Sequence, residues 1–391
     1  MTSAELVILM DLALVIFTAK VLEEVVVHFN QPPILGDLLA GIIIGPTVLG
    51  LIQIHTNVEV IGWLGIVILI FLAGLETDIE AARKYGISAF LVALGGVLFT
   101  FLLAYIIAVY FNYPWLTALF IATILSPTSV SVTSTTLMEL GVLKTNIGEI
   151  IMGAAFIDDV MAMVLFALVS SIVYHGEVRI ETILLIAAGL LVIISIFLLL
   201  YKVSDKIFGR LMMSSRLLDA PMAHLIIVGL GMAILSSWFG LSPLVGAYLA
   251  GLAMSRVVRS ERVLGFFQTL VQIIAPFFFV YAGLLLDPWL ALSRIQGTGI
   301  VEIVLAVVAA GIVGKVLGCG LAARLRGLDY KSSLIVGVGM MPRAGVDLVI
   351  AVVGLTTGVL TQELYLSALI LIYVTSLTTP VLLNRLILRR T

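Results

Sequence analysis

The chain has 391 residues, of which 62% are hydrophobic and only 11% are charged. An average soluble domain carries about 25% charged residues, whereas here apolar runs long enough to cross a bilayer recur from end to end. The composition therefore excludes a water-soluble fold, and with it a cytosolic enzyme and a nucleic-acid-binding protein. The 21 Lys and Arg nearly balance the 23 Asp and Glu, so no charged tail points to a partner.

Apolar stretches separated by polar, Gly and Pro clusters predict an all-α polytopic membrane protein with about 13 transmembrane helices. In chain order the predicted spans are 4–29, 33–54, 58–76, 86–111, 115–137, 146–174, 180–203, 218–240, 243–256, 262–286, 299–323, 332–356 and 362–386.

The positions of Lys and Arg predict the orientation of these spans, because cytoplasmic loops carry an excess of positive charge. With the N-terminus outside, the inside segments hold 16 of the 21 Lys and Arg. The outside loops then hold only Arg179 and Arg294, and the remaining three lie within spans. We therefore expect a multi-pass protein of the cell membrane with its N-terminus outside and its C-terminus in the cytoplasm.

Two predicted spans have a proline near the middle, Pro127 in the fifth and Pro342 in the twelfth. Proline removes a helical hydrogen bond, and the freed backbone groups are tolerated in a membrane only where protein or a wet cavity satisfies them. The two spans lie seven apart and run in opposite directions. This spacing predicts two inverted six-helix repeats, spans 1–6 and 8–13, joined by span 7 and containing two crossed broken helices.

The strongest chemical signal is the pair Asp158-Asp159 near the centre of the sixth span. A charged carboxylate at the bilayer centre costs at least about 2.5–3.5 kcal/mol, so such residues usually face an interior or an aqueous cavity. Neighbouring residues on a helix diverge by about 100°, and the two carboxylates should therefore meet different partners. Lys315 in the eleventh span is the expected partner of one of them, although the sequence does not say which.

Three further charges are weaker candidates. Arg343 and Asp347 are four residues apart in the twelfth span, so the simple expectation is a pair on one helix face, and ion contact is the alternative. Glu76 ends the third span, where solvation at the membrane interface is the default and a cation-attracting funnel is the alternative. We keep all three as secondary site candidates.

Several segments together resemble the monovalent cation:proton antiporters, and the NapA-like sodium/proton antiporters most closely. The resemblance covers the whole chain. Its motifs are PILGDLLAG at 33–41, GP at 45–46, LIFLAGLE at 69–76, SPTS at 126–129, DD at 158–159, GAYLAGL at 246–252 and PFFF at 276–279.

The resemblance implies the NhaA-like fold and a role for each site residue. Asp159 would be the main ion-binding carboxylate, Asp158 would pair with Lys315, and Thr128 and Ser129 would be hydroxyl ligands at the broken helix. Relatives often carry an acid at the position of Gly345, which puts any role of an acid there in doubt.

The resemblance also implies a homodimer built from two kinds of subdomain. Residues 1–76 and 218–286 would form the dimer subdomain, and residues 86–174 and 299–391 would form the moving core subdomain. Residues 180–203 would be the linker helix.

These observations predict a secondary transporter that exchanges sodium or lithium for protons electrogenically, with both ions competing at a carboxylate site. Its partners would be these ions, the lipid bilayer and a second copy of the chain, with no cofactor and no nucleic acid. Potassium/proton exchange is the alternative within the same class, although the glutathione-gated potassium efflux type usually carries Gln-Asp at the paired position. An intramembrane aspartyl protease and a passive cation channel are alternatives of other classes.

Overall fold

The structure is a computed structural model of the chain. It describes residues 3–29, 31–53, 56–76, 79–143, 145–175, 191–204, 220–239, 241–255, 261–287, 300–343 and 345–388, together with the single positions 184, 188, 189 and 289. Within this part of the chain every regular element is an α-helix, as the composition predicted.

The described helices fall into two halves of the sequence. The first half contains α1 (Ser3–His28), α2 (Pro33–Ile44), α3 (Thr56–Glu76), α4 (Ile79–Tyr110), α5 (Trp115–Ile124), α6 (Val130–Glu139), α7 (Asn146–His175) and α8 (Leu191–Ser204). The second half contains α9 (Ala220–Trp238), α10 (Pro243–Met254), α11 (Glu261–Leu284), α12 (Ile300–Leu325), α13 (Tyr330–Gly339), α14 (Val346–Thr356) and α15 (Gln362–Leu388).

Seven helical segments in the described residues are long and apolar enough to cross a membrane. They are Val58–Glu76, Gly86–Tyr110, Asn146–Val173, Ala220–Trp238, Val263–Leu284, Val301–Leu325 and Gln362–Ile387. Shorter apolar helices, α5 and α14 among them, add to this set. The total of 13 spans stays a prediction, because much of the predicted seventh span and several loops lie outside the described residues.

Two boundaries differ from the sequence prediction. The second predicted span was to continue to residue 54, but α2 ends at Ile44 because Gly45 and Pro46 follow it and form a turn. α4 begins at Ile79, seven residues before the predicted start, and is kinked at Gly86, whose φ of 68° is not helical. The fifth and twelfth spans are each two separate helices, as described below.

The chain divides into two compact units. Unit 1 comprises residues 1–22, 36–79 and 167–284, and unit 2 comprises residues 23–35, 80–166 and 285–391. In unit 1, α3 packs against α10 and α11, and α9 packs against α10.

Unit 2 is built around α12, which packs against α13 and α15. α15 also packs against α6 and α14, and α14 packs against α5. The apolar core of this unit combines small residues of α4 and α7 with larger residues of α13. Its members include Ala89, Ala93, Ala154, Ala155, Ile335 and Val336. Small side chains let the helix backbones approach closely, which is the usual way that helices pack inside a membrane.

Candidate functional site

Asp158 and Lys315 form a buried ion pair in unit 2. Asp158 lies in the middle of α7, and Lys315 Nζ of α12 donates a hydrogen bond to Asp158 Oδ1. Neither side chain is exposed, so each charge depends on the other for its stabilisation. The second carboxylate oxygen, Asp158 Oδ2, has no hydrogen-bond partner among the described residues. One acceptor of the pair therefore remains available for a further donor or a cation.

Gly96 of α4 provides the space in which the Lys315 side chain lies. A Cβ atom at this position would lie 3.3 Å from Lys315 Cδ and 3.5 Å from Lys315 Nζ, and would overlap with Cys319 Sγ. Any larger residue at position 96 would therefore displace either the ammonium group or the thiol.

Asp159 differs from Asp158 in its environment, although the two residues are adjacent. Its side chain is partly exposed, whereas that of Asp158 is fully buried. Asp159 interacts electrostatically with Asp158, Lys315 and Asp347. The two carboxylates thus have different partners, as the helix geometry predicted, and Asp159 is the more accessible of the two.

Two interrupted helices lie in the same unit, and the second carries charges that interact electrostatically with Asp158 and Asp159. The first break, residues 125–129, separates α5 from α6 and contains Pro127. The second break separates α13 from α14 and contains Pro342; residues 340–343 and 345 of it are described.

The two breaks are joined by hydrogen bonds. Thr128 Oγ1 donates to Met340 O at 2.9 Å, and the backbone N–H of Ser129 donates to Pro342 O at 2.8 Å. Thr133, in the first turn of α6, donates from its hydroxyl to Gly339 O at 2.7 Å. Three backbone carbonyls that the second break would leave without helical partners are thus bonded to the first break and to α6.

Thr128 and Ser129 have hydroxyl oxygens, which are groups that can coordinate a cation. Both side chains are buried. The Thr128 hydroxyl donates its one proton to Met340 O, so the lone pairs of the oxygen point elsewhere and can accept a hydrogen bond or coordinate a cation.

Arg343 is the most unusual charge in the described residues. It lies in the second break, its side chain is fully buried, and all three guanidinium nitrogens lack a hydrogen-bond partner there. It interacts electrostatically with Asp347 and Asp158 without bonding to either. A buried, unpaired cation is costly, and its retention in this place points to a role beyond packing.

The expected pair between Arg343 and Asp347 on one helix face is corrected by the structure. Arg343 precedes α14 and is not helical, so the four-residue spacing does not bring the two side chains together. Asp347 is buried in the first turn of α14 and accepts hydrogen bonds from backbone N–H groups there, including that of Leu348.

The backbone of the second break disfavours a side chain at position 345. Gly345 caps α14 with φ 140° and ψ −100°, a conformation that residues with a side chain rarely adopt. A carboxylate at position 345 would be strained in this break, whereas Asp347 occupies an ordinary helical position two residues later.

Glu76 belongs to unit 1, at the end of α3. Its side chain is exposed and accepts a hydrogen bond from Gln268 Nε2 at 2.9 Å. These contacts fit solvation at the end of a span.

Sequence reasoning missed three hydroxyl residues that hold the second break. Besides Thr133, they are Thr375 and Ser376 of α15, both fully buried. Thr375 Oγ1 accepts a hydrogen bond from Arg343 N at 3.1 Å, and Ser376 Oγ donates to Arg343 O at 2.9 Å. The only signal in the sequence was the presence of hydroxyls within an apolar span.

Comparison with known proteins places this chain in one family. The family described as "Sodium/hydrogen exchanger, transmembrane" matches residues 13–386. The chain is 32% identical over 377 residues to the probable Na(+)/H(+) antiporter GerT of Bacillus cereus, covering 96% of this chain and 98% of that protein. It is 31% identical over 382 residues to the Na(+)/H(+)-K(+) antiporter GerN of the same organism, covering 96% and 95%.

A solved structure has the same fold. The sodium proton antiporter MjNhaP1 from Methanocaldococcus jannaschii superposes with a TM-score of 0.74, covering 97% of this chain and 98% of that one at 17% sequence identity. The chain is a member of the sodium/hydrogen exchanger family, and thus a multi-pass membrane transporter of the monovalent cation:proton antiporter superfamily and not an enzyme.

Proposed function

We propose that this protein is a secondary active antiporter that exchanges sodium or lithium ions for protons across the cell membrane. The observation that carries the proposal is the position of Asp159, a partly exposed carboxylate beside the buried Asp158–Lys315 pair. The names of the relatives, which include sodium/proton antiporters, support the same substrates.

The charges of the site favour exchange over simple binding. Three carboxylates, those of Asp158, Asp159 and Asp347, interact with two cations, Lys315 and Arg343. When all five groups are ionised, the cluster has one excess negative charge. While Lys315 keeps its proton, one sodium ion or one proton neutralises that excess, and binding both ions would leave a buried positive charge. The two ions therefore compete for the same place.

The ligands would be oxygen atoms on two elements, α7 and the first break. We assign the principal contact to the Asp159 carboxylate, with the free Oδ2 of Asp158 and the Thr128 and Ser129 hydroxyls as further ligands. These groups suit sodium, a hard cation that prefers oxygen. Asp347 and Arg343 would set the electrostatic potential of the site, whereas Glu76 takes no direct part.

Electrogenic exchange requires a second proton, and Lys315 is the group that would release it. When sodium enters, Asp158 would turn to the ion and the pair with Lys315 would break. The ammonium group would then be buried without a counter-ion, which favours release of its proton. Two protons would leave for one sodium ion, and the net charge would couple exchange to voltage by about 2.3 kcal/mol per elementary charge per 100 mV.

The architecture proposed for this transport is the one that the sequence predicts. It has 13 spans in two inverted repeats with crossed breaks at Pro127 and Pro342, an outside N-terminus and a cytoplasmic C-terminus. The core subdomain, residues 86–174 and 299–391, would move against a dimer subdomain of residues 1–76 and 218–286 in a homodimer. Residues 180–203 would link the two subdomains, although residues 180–183, 185–187 and 190 of this linker lie outside the described residues.

Potassium/proton exchange is the second candidate, and one observation favours it. GerN, which shares 31% identity with this chain, has a name that includes both sodium and potassium. The ligand set of carboxylates and hydroxyls accepts either monovalent cation on chemical grounds, so selectivity is decided by measurement. Membership of a transporter family removes the protease alternative.

The test is proton flux in proteoliposomes that contain the purified protein and a fluorescent pH indicator. Sodium, lithium or potassium is added outside, with and without a potassium-diffusion potential. We expect flux with sodium and lithium, increased by a potential of the favourable sign. No flux with any of the three ions would overturn the proposed function, and flux insensitive to voltage would overturn the two-proton scheme.

A further inference from the structure

We propose that Thr375 and Ser376 of α15 are positioning residues of the cation site: their hydroxyls hold the peptide of Arg343 so that its guanidinium group stays apart from the neighbouring carboxylates. The proposal rests on the proposed function, because its effect is read in cation affinity. It assigns to α15 a role that none of the predicted site residues has.

The two hydroxyls bond to both polar groups of one peptide residue. Thr375 Oγ1 accepts from the N–H of Arg343, and Ser376 Oγ donates to its carbonyl oxygen. Arg343 is not helical, so neither group has a partner within its own helix ladder. An unsatisfied polar group in a buried place costs far more than a satisfied one gains, and the two bonds therefore hold Arg343 in one conformation.

Thr375 is well suited to accept this bond. Its hydroxyl proton is donated to Leu371 O at 2.8 Å, within α15. A lone pair of the oxygen is then left to accept from the Arg343 N–H. Valine has the same shape without the oxygen, so Thr375→Val removes the acceptor with little change in packed volume.

Three other carbonyls at the second break are bonded from the other side. Those of Gly339, Met340 and Pro342 accept hydrogen bonds from α6 and the first break. Thr375 and Ser376 complete this set at the residue that carries the charge. Without them, the peptide of Arg343 would be the part of the break that is free to turn.

The direction of the effect follows from the charges around Arg343. Its guanidinium group has no hydrogen-bond partner in the described residues, yet it interacts electrostatically with Asp347 and Asp158. If the peptide could turn, the buried cation would gain most by bonding to one of these carboxylates. That carboxylate would then contribute less to cation binding, and the apparent affinity for sodium would fall.

The experiment compares the double variant Thr375→Val, Ser376→Ala with Thr379→Val in proteoliposomes. Thr379 is a matched control because it is also fully buried on α15 and donates only to Thr375 O within the helix. We expect the double variant to raise the KM for sodium about tenfold while its turnover stays within about twofold. Thr379→Val should keep the wild-type KM. Thr375→Ser, which retains the hydroxyl, should also keep it. If the double variant is not recovered folded, the two single variants give the same test with a smaller change.

A second pair of variants shows whether the effect passes through Arg343. In the Arg343→Gln background, removal of the two hydroxyls should change the KM by less than about twofold, because the charge that they position is absent. An equal rise in KM in both backgrounds would overturn the proposal, as would a double variant indistinguishable from Thr379→Val. Failure of the proposed function is a separate result, since it would appear as absence of exchange in the wild-type protein.

Discussion

The two breaks in unit 2 each interrupt a helix at a proline, but they carry different chemical groups. The first break carries the hydroxyls of Ser126, Thr128 and Ser129 and no formal charge. The second carries Arg343, with Asp347 in the turn that follows. The first break donates hydrogen bonds to the carbonyls of the second, whereas the second supplies charges to the site.

This difference separates two tasks that a single interrupted helix would have to combine. Neutral hydroxyls can hold a backbone and coordinate a cation with little change in the electrostatic potential of the site. Charged groups set that potential, and so decide whether the site accepts a positive charge at all. The comparison therefore predicts that loss of a charge will have a larger effect on exchange than loss of a hydroxyl.

The largest effect is expected for Asp159→Asn, which removes the charge to which we assign the principal cation contact. The volume of the side chain is nearly unchanged, but the group can no longer bind a proton or attract a cation. We expect exchange to fall at least about 100-fold, with the melting temperature equal to or above that of the wild type because a charge has been removed from the site. Proton flux in proteoliposomes and a thermal melt measure the two quantities. Sodium-driven flux near the wild-type rate would exclude Asp159 as the binding carboxylate.

A smaller effect is expected for Asp347→Asn, which tests the charge of the second break. Asn retains an oxygen that can accept the backbone hydrogen bonds at the start of α14, so the variant isolates the charge from the helix cap. The excess negative charge of the site is lost, and we expect the KM for sodium to rise about tenfold with the protein still folded. An unchanged KM would show that Asp347 acts only through its hydrogen bonds to backbone N–H groups at the start of α14.

The first break should respond more mildly to loss of its hydroxyls. Thr128→Val and Ser129→Ala each remove one neutral ligand that water can replace, so we expect the KM for sodium to rise about two- to fivefold for each. The turnover should stay close to that of the wild type. If either variant lowers affinity more than Asp347→Asn does, the proposed division between the two breaks is wrong; if the double variant has wild-type affinity, neither hydroxyl belongs to the site.

The smallest effect concerns the start of α13, which leads into the second break. Asp329 caps this helix: Ser332 Oγ donates to Asp329 Oδ1, and the N–H groups of Ser332 and Lys331 donate to Oδ2, the latter two at 3.1 Å. The side-chain hydrogen bond from Ser332, followed by its backbone hydrogen bond, lowers the pKa of Asp329 below its usual value.

Because the pKa of Asp329 is lower in the folded protein, its contribution to stability is present above the unfolded value of about 3.9 and is lost as the pH falls through the folded value. Asp329→Ala should therefore lower the melting temperature slightly at neutral pH. The difference in melting temperature between wild type and variant should shrink as the pH falls through the folded pKa of Asp329. Asp329→Asn, which keeps an acceptor, is the matched control. A difference that does not change with pH would contradict the assignment of the cap to the ionised carboxylate.

The positions of the charges and of the prolines could be predicted from the sequence, because each is a local signal. Asp158, Asp159 and Lys315 stand out in apolar spans, and Pro127 and Pro342 interrupt helical periodicity. The end of α2 at Ile44, ten residues before the predicted end, also has a local signal in Gly45 and Pro46, but the apolar run beyond them outweighed it in the prediction.

The contacts that hold the site could not be predicted in this way. Thr128 and Met340 are 212 residues apart, and Thr133 and Gly339 are 206 residues apart. Helical periodicity carries no information about such pairs. The spacing of Arg343 and Asp347 was misleading for a related reason. A four-residue spacing indicates a pair only if both residues lie in one helix, and Arg343 lies in the break before α14 begins.

The central claim is that sodium and protons compete for Asp159. The most direct test is the KM for sodium measured in proteoliposomes over a range of pH, with the pH equal on both sides before sodium is added. Competition at this site predicts that the KM rises at least in proportion to the proton concentration at the acid end of this range, while the maximal rate at saturating sodium is unchanged there. A KM that does not change with pH, accompanied by a maximal rate that does, would show that protons act at a different place and would contradict the account.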